Sequence, residues 1–103
     1  MSQLITLSVP KEKLVKAAAI MKLVAHPTRL AVVDLLGRYD RLTVNEIADA
    51  TGCEQSLLSH HLTNMRLSGL LKSEREGVNI FYSLKLKELS KLLACIENCE
   101  CNL

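Results

Sequence analysis

The stretch TVNEIADATGCEQSLLSHHLTNMRLSGLL, Thr43 to Leu71, decides the fold. Thr43 and Glu46 form the Thr-x-x-Glu pattern of a capping box, which predicts a helix starting at Thr43. Ile47, Ala48 and Ala50 supply its small apolar side. Gly52 supplies a residue that leaves the right-handed helical region without steric cost. A second helix is expected from about Glu54 to Leu67, stopping near Gly69. At about 100° per residue, Leu58, Leu62 and Met65 fall on one stripe. Ser56, Ser59, His60 and Thr63 fall opposite, with Asn64 beside them. That outer face has no acid and no large apolar group near its centre. It carries donors and acceptors of a size that reaches base edges, as the second helix of a helix-turn-helix does in the major groove. An ordinary helical hairpin with a solvated face has the same periodicity, so the residues that follow must discriminate.

Lys72 to Leu84 reads KSEREGVNIFYSL. Ile80, Phe81 and Tyr82 favour a strand, and Glu76-Gly77-Val78-Asn79 sits where a hairpin would turn. Two short strands directly after a recognition-type helix describe a winged helix. Arg75 and Asn79 fall at or near the wing tip, where a guanidinium suits phosphate or the minor groove.

Before the motif, Pro10 suits a first-turn position, and Leu14, Ala17, Ala18, Met21 and Val24 form a stripe to about Ala25. His26-Pro27 breaks the chain, because the residue preceding proline is pushed out of the helical region. A helix from Thr28 to about Leu36 turns Leu30, Val33 and Leu36 inward and ends at Gly37. A last helix is expected from Leu86 to about Cys99, with Leu89, Leu92, Leu93 and Ile96 on one face.

A chain of 103 residues makes one domain of modest core, residues 1–103. Hydrophobic residues are 49% and aromatic ones 3%, so the core is built from aliphatic side chains of packed helices. So much aliphatic surface on a small chain implies a partner subunit. Net charge is +2, a weak argument for nucleic acid, but its distribution is more useful. From Leu62 to Lys91 there are six bases (Arg66, Lys72, Arg75, Lys85, Lys87, Lys91) against three acids (Glu74, Glu76, Glu88). No export signal or membrane-spanning run is read, and four cysteines without a signal point to reduced thiols in a cytoplasm. No internal repeat or linker appears. An enzyme is not expected: there is no glycine-rich phosphate loop and no paired carboxylate site.

These pieces resemble the ArsR/SmtB family of winged-helix metal-sensing repressors, through LVAHPTRLAVVDLL (Leu23–Leu36), GCEQSLLSHHL (Gly52–Leu62) and GLLKSEREGVNIFYSL (Gly69–Leu84). The resemblance implies a mainly α fold with a small β-hairpin. It also implies a homodimer held by the first and last helices, bound to palindromic operator DNA and released by an effector. Its DNA-contacting positions fall on Gln55, Ser56, Ser59 and His60, with the wing at Arg75 to Asn79. Ser56, Ser59 and His60 are supported independently by the helical projection. His61, about 60° from the apolar stripe, reads as a packing residue.

Two effector sites of the family have no counterpart: Thr43 and Asn45 stand where many members carry a Cys-x-Cys pair, and Leu86 and Glu88 stand near the usual Asp and His ligands. Instead the chain has Cys95, Cys99 and Cys101 in CIENCEC. Thiolates suit soft ions and argue against magnesium, calcium or manganese. Members with cysteines on this helix respond to arsenite or antimonite, so the resemblance implies these, with cadmium, lead or zinc as competitors. Cys95 and Cys99, four apart, would stack on one helical edge. Cys101 would lie about 160° around a continuing helix, so the chain unwinds after Cys99 or the third donor comes from elsewhere. Cys53 reads as a small residue filling the motif turn.

Two other readings stay open. A redox or persulfide sensor needs a thiolate of lowered pKa, which the helix carboxyl end, Glu97 and Glu100 disfavour. A dimeric adaptor would use the same fold to bind protein, with no DNA readout.

Overall fold

The structure, a computed structural model, describes residues 4–99. Five helices and three strands follow in the order α1 (Lys11–Val24), α2 (Pro27–Arg38), β1 (Leu42–Thr43), α3 (Val44–Thr51), α4 (Gln55–Leu67), β2 (Leu71–Glu76), β3 (Asn79–Leu84) and α5 (Leu89–Glu97). This is the mainly α winged helix-turn-helix expected, with one addition. β1 joins the hairpin to make an antiparallel sheet of order β1-β3-β2, pairing Leu42 with Tyr82 and Thr43 with Phe81.

The helix-turn-helix forms as its local chemistry dictates. Thr43 Oγ1 accepts from the Glu46 amide at 3.2 Å, and the Glu46 carboxylate accepts from the Thr43 amide at 2.9 Å. The capping box is therefore closed in both directions. Gly52 ends α3 in the left-handed region, φ 69°, which permits the tight turn into α4. Gly77 in the wing turn also has positive φ while Val78 does not, the pattern of a type II′ hairpin.

Ile47, Leu58, Leu62 and Met65 of the motif are buried with Val32, Val33 and Leu36 of α2 and Leu71, Tyr82 and Leu84 of the sheet. One aliphatic core thus ties α4 to α2 and to the base of the wing. Cys53 is half-buried against it, filling the turn.

Three boundaries of the first two helices differ from expectation. Pro10 precedes α1 as its cap instead of occupying the first turn. His26 is extended (φ −153°, ψ 131°) and caps α2 through Nδ1, which accepts from the Thr28 amide at 3.1 Å; Pro27 therefore opens the helix. At the other end α2 runs on through Gly37 to Arg38. Gly37 is a close-approach glycine: a Cβ there would stand 2.5 Å from Ser90 Cβ on α5.

The last helix is shorter than its apolar pattern. Lys85 and Leu86 are held to the sheet end by amide bonds to the Leu70 carbonyl, so α5 starts only at Leu89. It stops at Glu97, where the Asn98 side-chain amide shares the Ala94 carbonyl with the Asn98 backbone amide, at 3.0 and 3.1 Å. Much of the apolar stripe of α1 and α5 is open to solvent in the single chain: Met21 is 56% and Ile96 44% exposed.

Candidate nucleic-acid interface

With Leu58, Leu62 and Met65 driven into the core, the 3.6-residue period leaves the opposite face of α4 outside. Gln55, Ser56, Ser59 and His60 are all exposed on it, as the projection requires. Thr63 and Asn64 are half-buried at its margin, where the Asn64 amide lies 3.4 Å from His60 Nε2.

The first turn of α4 is already engaged in local polar contacts. The Gln55 amide donates to Asn45 Oδ1 of α3, and Ser56 Oγ donates to the Glu54 carboxylate. Glu54 is an acid at the tip of the presented helix, where it complements the positive end of the helix dipole. Asn45 also lines a small groove with Val78, Asn79 and Ile80, and so stands between α4 and the wing tip.

The wing brings Arg75 and Asn79 to exposed positions near its tip, in register with Ile80 and Glu76 respectively. On the outer face of the sheet, Arg41 donates two hydrogen bonds to the Glu76 carboxylate, at 2.9 and 3.0 Å. Its guanidinium carbon lies 4.0 Å from the centroid of the Phe81 ring. Hydrogen bonding to Arg41 holds the Glu76 carboxyl below the usual carboxylate range, and the same bond raises Arg41.

Behind α4, His61 is 6% exposed, the packing residue expected from its angle. Its Nδ1 accepts from Arg29 Nε at 3.0 Å, and Arg29 also donates to the Leu23 carbonyl at 3.0 Å. The proton of neutral His61 is therefore on Nε2, which is buried with no hydrogen-bond partner among the described residues. Burial foremost, then the positive charge of Arg29, pushes the His61 pKa down. This cluster pins α4 to the α1–α2 corner.

The cysteines are placed less simply. Cys95 is exposed on α5; Cys99 is exposed but lies beyond the Asn98 cap. Helix α5 therefore ends between the two cysteines. Cys101 lies outside the described residues. Among the described residues no cluster of three or more His, Cys, Asp or Glu side chains is placed to hold an ion. The exposed thiols of Cys95 and Cys99 are soft donors, which suit a soft ion in kind.

Sequence reading missed Arg41, Asn45 and Arg29. A base directly before β1 and an asparagine in the first turn of α3 carry no periodic signal. Only the packing of three strands and two helices brings them to the site.

An exposed polar helix locked by a three-stranded wing defines a winged-helix DNA-binding regulator, and comparison with known proteins agrees. A helix-turn-helix domain family model matches residues 24–74. The HTH-type transcriptional regulator YgaV of Escherichia coli K12 is 34% identical over 86 residues, spanning 84% of this chain and 87% of that protein. The transcriptional repressor PagR of Bacillus anthracis is 37% identical over 83 residues, spanning 78% and 83%. The solved structure of HlyU from Vibrio cholerae superposes with a TM-score of 0.76 at 28% identity, covering 88% of this chain and 100% of that one. The chain belongs to the ArsR/SmtB family of winged-helix transcriptional regulators. It is a regulator of transcription and not an enzyme, and no helix among the described residues is long and apolar enough to cross a membrane.

Proposed function

We propose that the chain is a homodimeric cytoplasmic repressor that reads operator DNA with Gln55, Ser56, Ser59 and His60 of α4. Arg75 and Asn79 at the wing tip add backbone or minor-groove contacts. The observation that carries this reading is the division of α4: Leu58, Leu62 and Met65 are fully buried in the core, while Gln55, Ser56, Ser59 and His60 are exposed on the opposite side. Dimerisation is supported by the apolar groove between α1 and α5, lined by Ala17, Ile20, Met21, Leu86, Leu89 and Leu92. A twofold-related copy seated there would present two recognition helices about one DNA turn apart.

The effector is a soft metal(loid) taken by thiolates of Cys95, Cys99 and Cys101, with arsenite or antimonite favoured over cadmium, lead and zinc. Support comes from the donor chemistry and from the place of Cys95 on α5, beside the proposed dimer seam. Occupation of the thiols would favour a dimer whose heads no longer match the operator; a coupling of about 1–3 kcal/mol derepresses about 5–150-fold.

The test is an electrophoretic shift of duplex DNA from upstream of the protein's own gene, with reduced protein. His60→Ala should abolish the shift without unfolding. Arsenite should release the wild type but not Cys95→Ser or Cys99→Ser. Release by polysulfide alone would move the assignment to thiol oxidation, and absence of any shift with folded protein would favour the adaptor reading.

A further inference from the structure

The three-stranded sheet is not equally supported along its length. β1 pairs with β3 only at Phe81 and Tyr82. Beyond them, toward the turn, Ile80 and Asn79 have β2 as their sole strand neighbour. A two-stranded ribbon of this kind is free to twist. Arg41 precedes β1, so its backbone lies on the far side of Tyr82 from the wing tip. Its side chain nonetheless runs tipward across the Phe81 ring and ends in a two-pronged bond to Glu76, the last residue of β2. One side chain thus spans all three strands and takes the place of the missing length of β1.

We infer that Arg41 is a positioning residue for DNA recognition: clamped on Phe81 and Glu76, it sets the angle of the wing that carries Arg75 and Asn79. The inference rests on the wing contacting DNA, as proposed above. Arg75 neighbours Glu76 along β2, and alternation sends its side chain to the opposite face of the strand, so fixing Glu76 orients Arg75 without touching it. The pair is exposed, at 40% and 55% of the two side chains, and exposed ion pairs are weak on average. Planar two-point bonding and stacking on an aromatic face raise this one above that average. Bonding to Arg41 lowers the Glu76 carboxyl, so the clamp stays charged further into the acid range.

A direct phosphate contact by Arg41 is the competing explanation, and it makes the opposite prediction for Glu76. Removing an acid from a DNA-facing wing tightens binding on charge grounds alone. If the clamp sets the wing, Glu76→Gln instead weakens duplex affinity by about two- to fivefold, as Arg41→Ala does. The double variant is then no weaker than either single one. Arg41→Lys keeps the charge but loses the fork and the stack, so it should behave like the alanine variant.

The experiment is fluorescence anisotropy of the full chain on its own upstream duplex. It is paired with amide nitrogen relaxation of Gly77, Val78 and Asn79 in the DNA-free protein. Lower order parameters at the tip in both single variants, with weaker binding in both, is the expected result. Tighter binding by Glu76→Gln, full retention by Arg41→Lys, or unchanged tip order would overturn the inference. A wild type that binds no duplex refutes the proposed function; the relaxation arm still reports separately whether Arg41 holds the wing.

Discussion

Replacing Gly37 by alanine sets two effects of known size against each other. Gly37 lies within α2, and an alanine there gains about 1 kcal/mol of helix propensity. The added methyl would stand 2.5 Å from Ser90 Cβ and 3.3 Å from Ser90 Oγ, however. Carbon atoms normally meet at about 3.5–4.0 Å. Ser90 Cβ is bonded directly to the α5 backbone, so no rotamer change moves it, and α5 itself must back away from α2. Overpacking of this kind costs about 1–3 kcal/mol. The net effect is then a loss of about 0–2 kcal/mol, with each kcal/mol lowering the melting temperature by about 4–8 °C in a domain of this size. In a Ser90→Gly background the obstacle is gone, and the same Gly37→Ala change should stabilise by about 1 kcal/mol. Urea unfolding of all four proteins by far-ultraviolet circular dichroism, at one fixed protein concentration, closes the cycle. A coupling of about 1–3 kcal/mol is expected. If Gly37→Ala stabilised equally in both backgrounds, the close approach of α2 and α5 would be refuted.

The buried corner behind α4 makes two further predictions. Arg29→Ala removes the donors to Leu23 and His61 and leaves a buried ring nitrogen and a carbonyl unpaired, so chemical denaturation should show a loss of about 1–3 kcal/mol. His61 titrates below its ordinary value of 6.5 in the folded chain, because burial and Arg29, with His26 and His60 nearby, oppose its charge. The unfolded chain therefore binds the extra proton first. Stability is complete at higher pH and falls once pH drops below about 6.5, by up to about 1.4 kcal/mol per pH unit until the folded form also protonates. Unfolding curves from about pH 8 to 5 should show this slope in the wild type and a flatter one in His61→Gln; equal slopes would assign the effect elsewhere.

Most of the helix-turn-helix was legible because its determinants lie within a turn or two of each other. Thr43 and Glu46 are three residues apart and close their own hydrogen-bonded ring. Gly52 marks a left-handed turn that few other residues adopt. The period that buries Leu58, Leu62 and Met65 necessarily exposes Ser56, Ser59 and His60. The hairpin turn at Gly77 was legible for the same reason. β1 was not, because two residues ahead of a capping box become a strand only when Phe81 and Tyr82, far along the chain, lie beside them. The extent of α5 was hidden as well. Its apolar pattern continues past both ends, and bonds to the Leu70 and Ala94 carbonyls accompany its limits.

The amino-acid sequence by itself determined the helices and the hairpin, the face of α4 left for a ligand, and a soft donor set near the carboxyl end. Each depends on local spacing and side-chain chemistry. Tertiary structure alone decided that Gly37 makes room for Ser90, that Arg29 pins His61, and that Arg41 reaches across three strands to Glu76. Those relations exist only where surfaces distant in the chain meet, and no period or motif records which surfaces those will be.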